Sequence, residues 1–250
     1  MPYLIFSAIV VLLFFYGYKQ FTKGRSSKTQ PPKSFPTDWR ILLIQHVPFY
    51  NALSEQEKEH FEHRILEFLN ECRITGIQTT IEPIDKILIA SSAVIPIFQF
   101  PEWQYFNLNE VLIYPSHFNR QFETSGEDRN ILGMVGTGYM EGKMILSKEA
   151  LRHGFQNETD KKNTAIHEFI HLIDKADGLI DGVPNVIFEK QYIIPWIDLI
   201  NKKIEEIYQG SSDINPYGGT NQAEFFSVIC EYFFERPKLL ERKHLNFMSY

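Results

Sequence analysis

Apolar and polar positions divide the 250-residue chain into an uncharged opening stretch, a polar joint and a long body of alternating helical and strand patterns. Residues 2–18 (PYLIFSAIVVLLFFYGY) carry no charged side chain. Such a run, with tyrosines at both ends, predicts a transmembrane anchor over residues 1–18. A cleaved signal peptide would want a basic segment before the run and a small-x-small site after it, and the sequence has neither. Lys19, Lys23, Arg25, Lys28 and Lys33 follow instead, which predicts an outside N-terminus and a cytoplasmic body. Residues 19–37, rich in Ser, Lys, Pro and Gly, read as a flexible linker. Residues 38–250 read as the folded domain.

Within that body, Ser54 opens a helical pattern expected to end at Gly76. Ser54 and Glu57 have capping-box spacing, and Ile65, Phe68 and Leu69 form the apolar stripe. His60 and His63 sit among charged neighbours and read as solvated. Residues 86–98 predict a helix through their Ala-Ser segment, flanked by short strands and limited by Pro96. Residues 111–114 read as a strand stopped by Pro115, with His117 in the turn beyond. After a polar loop, residues 133–147 read as a hairpin that turns near Glu141-Gly142 and returns along 143–146. An edge strand beside the site could pair with extended substrate. A short helix starts at Ser147, and a more apolar one is expected over 162–175, ending at Asp177-Gly178. An amphipathic helix follows over 195–208, then a loop with Tyr217 at its tip, then an apolar helix over 221–235 closed by Pro237.

The helix over 162–175 carries the chemistry. It contains His-Glu-x-x-His at His167, Glu168 and His171. Residues four apart share a helix face, so both imidazoles can reach one metal ion, with Glu168 beside a water bound to it. Ile166, Phe169, Ile170, Leu172 and Ile173 make the helix apolar on most sides. Buried histidines and a buried glutamate need partners, and a cation serves all three. A catalytic zinc site takes a third protein ligand, and the longer motif that would supply a third histidine is absent, since positions 174 and 177 are Asp. Glu224 is the best candidate, although Asn221 to Glu224 also has capping-box spacing. Glu231, seven residues later on the same face, could be a ligand or accept an imidazole N–H. Asp174 and Asp177 could do the latter too, or simply solvate the helix end. Tyr217 could pack in its loop or donate to an oxyanion.

Composition narrows the reading. The chain is 44% hydrophobic with a net charge of −6 and interspersed charges, which suits one sizeable core and gives no nucleic-acid-binding face. Cys72 and Cys230 are far apart, without metal-ligand spacing, and fit a reducing compartment.

The segments NTAIHEFIHLID and NPYGGTNQAEFFSVICEYFFERP resemble the zinc-dependent peptidases of the Mlc titration factor A type, and VLIYPSHF and MILSKEAL are similar too. The resemblance implies a fold like the catalytic domain of anthrax lethal factor. The expected fold class is thus α+β: a zincin-like metallopeptidase domain, its small sheet packed on helices, behind the N-terminal transmembrane helix. It further implies one zinc ion per chain on His167, His171 and Glu224, Glu168 as general base, Tyr217 stabilising the transition state, and Glu231 supporting an imidazole. The implied reaction is hydrolysis of a peptide or protein substrate. The competing expectation is a membrane-tethered binding protein that sequesters a regulatory partner, such as a transcriptional regulator, around a structural or vestigial zinc site.

Overall fold

A computed structural model describes residues 34–157, 160–245 and 247. Three helices open it: α1 (Thr37–His46), α2 (Pro48–Asn51) and α3 (Glu55–Glu71). The α3 capping box forms as its spacing predicts: Ser54 accepts from the Glu57 N–H, and the Glu57 carboxylate accepts from the Ser54 N–H. The helix stops at Glu71, however, and does not run to Gly76. Residues Arg73–Gly76 form strand β1, because Ile74 and Thr75 find strand partners in Val111 and Leu112.

Next comes α4 (Pro83–Ile97), a single continuous helix without the flanking strands expected for it. Pro96 falls in its last turn, and the helix ends one residue later, as a proline limit implies. Ile87, Ile89, Ala90, Ser91, Ser92 and Ala93 are fully buried, so α4 is the core's central rod. The chain continues with strands β2 (Glu110–Tyr114), β3 (Gly133–Val135) and β4 (Lys143–Ser147), followed by helices α5 (Lys148–Gln156), α6 (Thr164–Asp174), α7 (Lys190–Tyr208), α8 (Gln222–Glu235) and α9 (Pro237–Lys243). Helix α7 starts five residues before Pro195 and carries that proline inside it.

The sheet order is β1-β2-β4-β3. Strands β1, β2 and β4 pair in parallel, and β3 joins β4 antiparallel through the expected hairpin. Val111 and Ile113 pair with Met144 and Leu146, and all four are fully buried. The returning strand β4 is internal, and β3 and β1 are the two edges. Gly142 turns the hairpin at φ +76°, and a Cβ there would come within 2.4 Å of Asn109 Nδ2. One buried carboxylate ties three strands at a common register: Glu110 is met by Arg73 at 2.9 Å, Lys143 at 2.6 Å and Thr75 at 2.7 Å.

The domain is α+β, a small mixed sheet with helices, as expected. The transmembrane part of that expectation is corrected. Among the described residues no helix is long and apolar enough to cross a membrane. The 19-residue α7 carries Asp198, Lys202, Lys203, Glu205 and Glu206, and charges are costly in a bilayer. The apolar α4 has 15 residues, about 22 Å of helix against a hydrocarbon core of about 30 Å. The stretch on which the anchor was expected, 1–18, lies outside the described residues. The single-pass membrane anchor, the membrane-anchored location and the membrane as a partner are therefore not supported.

Glu110 predicts an acid-sensitive element. Burial raises its carboxyl, but hydrogen bonds from Lys143, Thr75 and Arg73 outweigh this and lower it to about 2. Its stabilising contribution is therefore full above the unfolded value of about 4.3 and is lost as pH falls from there toward about 2. Glu110→Gln should cost about 2 kcal/mol at pH 7, and the urea midpoints of the two proteins should converge near pH 2.

Candidate metal centre

Helix α6 is buried nearly all round. Its N-cap Asn163 accepts from the Ile166 N–H, and Ala165, Ile166, Phe169, Ile170, Leu172 and Ile173 lie in the core. His167, Glu168 and His171 are buried with them. The two imidazoles bring their Nε2 atoms to 3.1 Å. Helix α8 packs alongside and supplies the carboxylates. Asn221 accepts from the Glu224 N–H at 2.9 Å. The Glu224 carboxylate, meanwhile, turns toward the histidines: Oε2 lies 2.9 Å from His167 Nε2 and 3.3 Å from His171 Nε2.

The far ring nitrogens are held as well. His167 Nδ1 lies 2.7 Å from Glu231 Oε1, and His171 Nδ1 lies 3.2 Å from Ser227 Oγ. Glu231 Oε2 also accepts from the Asn163 N–H at 2.6 Å. A Nδ1–H donated to Glu231 leaves the His167 Nε2 lone pair aimed at the point shared with His171 and Glu224. Asp174 does otherwise. It is fully buried, and its Oδ2 accepts from the Gly182 N–H at 2.8 Å, so it ties down the loop after the helix. Burial lifts its carboxyl to about 6. Asp177 likewise holds that loop, accepting from Leu179 and Asn185.

These donors fit a divalent cation. Among the described residues, His167, His171 and Glu224 offer ligand atoms within 4.8 Å of one another. Tetrahedral ligands about 2.1 Å from one ion would stand about 3.4 Å apart, against the 3.1, 2.9 and 3.3 Å found here. The electrostatics agree. Burial works against a charged His167, but hydrogen bonds with Glu224 and Glu231 outweigh it and raise the imidazole to about 10. Burial raises the Glu224 carboxyl, yet the two histidines hold it well below the carboxylate range. The cluster draws in positive charge.

Glu168 faces strand β3. Burial pushes its carboxyl up, opposed by both histidines. A Cβ at Gly133 would come within 2.7 Å of Glu168 Cγ and 2.9 Å of Thr164 Cγ2. At the other end of β3, Lys175 donates to the Gly136 carbonyl at 3.0 Å and to Glu141 at 2.7 Å. The edge strand therefore runs along α6 from Glu168 to Lys175. Tyr217 stands on a 3-10 turn, Pro216–Gly219, with its ring 5.9 Å from that of His167. It is 53% exposed. Partial burial and the neighbouring Glu224 raise its phenol to about 12, so it remains a proton donor at neutral pH. These groups line a cleft of about 1800 Å³.

Sequence reasoning missed Ser227 and Gly133. Ser227 follows Glu224 by three residues and shares its helix face, a readable signal. Gly133 comes through the sheet and leaves no local signal. His117 lines the cleft and pairs with Glu149 at 3.6 Å, His60 packs on Phe98, and His63 pairs with Glu67. None of the three belongs to the donor set. Cys72 and Cys230 are free.

A small mixed sheet laid along a helix with two converging imidazoles, completed by a carboxylate from a second helix, describes a metallopeptidase-like domain. The chain belongs to the glucose-regulated metallo-peptidase M90 family, whose model matches residues 21–249. It is similar to "Uncharacterized protein slr2042" of Synechocystis, at 26% identity over 245 residues, 94% of this chain and 88% of that protein. It is also similar to Mlc titration factor A of Pectobacterium atrosepticum, at 25% identity over 232 residues, 87% of this chain and 84% of that protein. The same-named protein of Yersinia enterocolitica is 24% identical over 231 residues, 86% of this chain and 83% of its own length. These matches bear out the resemblance to the Mlc titration factor A type, and membership of a metallopeptidase family implies a metal ion.

The close approach of β3 to Glu168 yields a stability prediction. Gly133→Ala should cost about 1–3 kcal/mol through overpacking, read as a lower urea midpoint. An unchanged midpoint would mean that β3 can move away from α6 freely.

Proposed function

We propose that this chain is a zinc-dependent metallopeptidase that hydrolyses peptide bonds in peptide or protein substrates, with one zinc ion per chain held by His167, His171 and Glu224. The observation that carries the reading is the convergence of those three donor atoms next to a buried glutamate. Two imidazoles and a carboxylate suit zinc, and three protein ligands are what a catalytic zinc takes. When bound, the ion supplies Lewis-acid polarisation of water and of the scissile carbonyl.

The chain's own groups do the rest. Glu168 takes a proton from the attacking water and delivers it to the departing amine. Its raised carboxyl, a consequence of burial, suits a group that must both accept and return a proton. The Tyr217 phenol donates to the oxygen that gains charge as the carbonyl is attacked. Glu231 and Ser227 hold the two imidazoles by their Nδ1 atoms. The edge strand β3 lies beside Glu168, where an extended peptide can add to the sheet.

A second reading comes from the relatives' name. Mlc titration factor A is named for titrating Mlc, and by analogy this chain would bind a regulatory protein without needing turnover. A metal centre kept for structure alone has no use for Glu168 or Tyr217, which favours the peptidase.

Glu168→Gln should keep wild-type metal content and lower kcat by about 10²–10⁴-fold, measured by metal analysis and a peptide panel with and without chelator. Glu224→Ala should lose bound metal. Wild-type turnover in Glu168→Gln would remove the base assignment, and full metal content in Glu224→Ala would remove the ligand assignment. A metal-loaded protein that cleaves nothing yet captures a regulator would favour the second reading.

A further inference from the structure

Asp213 lies four residues before Tyr217, in the irregular segment that follows α7. Lys161 Nζ donates to its carbonyl at 2.7 Å and to its Oδ2 at 2.9 Å. The Tyr232 hydroxyl donates to Oδ2 at 2.7 Å, and Lys243 Nζ stands 3.0 Å from the same oxygen. His244 Nε2 lies 2.8 Å from Oδ1. The Lys161 ammonium also sits 4.1 Å above the Tyr232 ring. Burial alone would raise the Asp213 carboxyl, but the bonds from Tyr232, Lys161, His244 and Lys243 hold it well below the usual carboxylate range. A lone surface ion pair is worth little. Here one carboxylate gathers donors from three other parts of the fold, and two of them, Lys161 and Tyr232, lie beside the metal centre in sequence. Lys161 precedes the helix cap Asn163 by two residues, and Tyr232 follows Glu231.

The segment is gripped on its other side as well. Ile214 is buried, and Asn215 accepts from the Tyr217 N–H at 3.1 Å. Gly218 and Gly219 press so closely on α8 and α7 that a Cβ would come within 3.2 Å of Val228 Cγ1 and 3.0 Å of Ile207 Cγ2. Tyr217 stands between the two anchors with its side chain half in solvent. Its hydroxyl hydrogen-bonds to Glu224 and its ring packs near His167, so the backbone that carries it must hold the ring where both contacts can be made.

We propose that Asp213 is a positioning residue whose carboxylate, gathered by Lys161, Tyr232, Lys243 and His244, holds the turn that presents the Tyr217 hydroxyl to the reaction. The inference rests on the role proposed above for Tyr217. It concerns how that hydroxyl is aimed and requires no contact between Asp213 and substrate.

The test uses the full, zinc-loaded chain and Asp213→Asn, which keeps the shape and removes the charge. Lys161→Met serves as a second variant that removes a single donor. Hydrogen exchange over residues 211–220 should speed up in both, while α6 and α8 keep their protection and metal stoichiometry stays at the wild-type value. kcat should fall roughly 10–100-fold in Asp213→Asn, the scale of a misplaced catalytic group, with KM within about twofold. In a Tyr217→Phe background the same substitution should lower kcat no further. Unchanged exchange over 211–220, faster exchange throughout the chain, or an equal fall in kcat in both backgrounds would overturn the inference. A wild-type rate in Tyr217→Phe alone would strike the reaction role of Tyr217 instead, leaving the exchange result to judge the anchor.

Discussion

Glu231 bonds at once to an imidazole of α6 and to the backbone at that helix's start: its two oxygens meet His167 Nδ1 and the Asn163 N–H. This pairing of α8 with α6 is what the site depends on. A carboxylate and an imidazole buried separately would each be strongly unfavourable. Buried together they satisfy one another and set how the two helices lie. With Glu231 against Nδ1, Glu224, two turns earlier on the same face, reaches Nε2. Ser227, between them, reaches His171. Three residues on one line of α8 thus meet two on one line of α6.

The sheet contributes through its edge. Strand β3 is short, but glycine at 133 lets it lie against Glu168, and Lys175 pins its far end to the end of the same helix. Glu168, the two imidazoles and the strand edge are therefore referenced to one rigid rod. Tyr217 reaches this arrangement from outside the two helices. It belongs to an irregular segment whose placement comes from charge gathered at Asp213 and from close glycine packing. The centre so combines a face of converging imidazoles and carboxylate with one phenol on a separately anchored turn.

Much of this was readable before any coordinates. The four-residue spacing of His167 and His171, the apolar surroundings of their helix and the capping box at Ser54 are local patterns, and local geometry realises them. The hairpin over 133–147 and the stop at Asp177-Gly178 are local too. Glu224 was ambiguous, because cap and ligand ask for the same residue at the same place. Its backbone N–H does meet Asn221, while its carboxylate faces the histidines. Only the packing of α8 on α6 turns the carboxylate from the cap toward the imidazoles.

The sequence by itself determined the helix that carries the donors and the family to which the chain belongs, because both rest on residue identity and short-range spacing. Tertiary structure decided what depends on distant neighbours. Residues 73–76 became a strand because β2 lay beside them. The sheet order made β3 an edge and β4 internal. Asp174 turned to a loop N–H and Ser227 took the place beside His171. Local periodicity shows at most which residues share a face, and which partner each one meets follows from how the elements pack, since either partner alone would serve equally well in solvent.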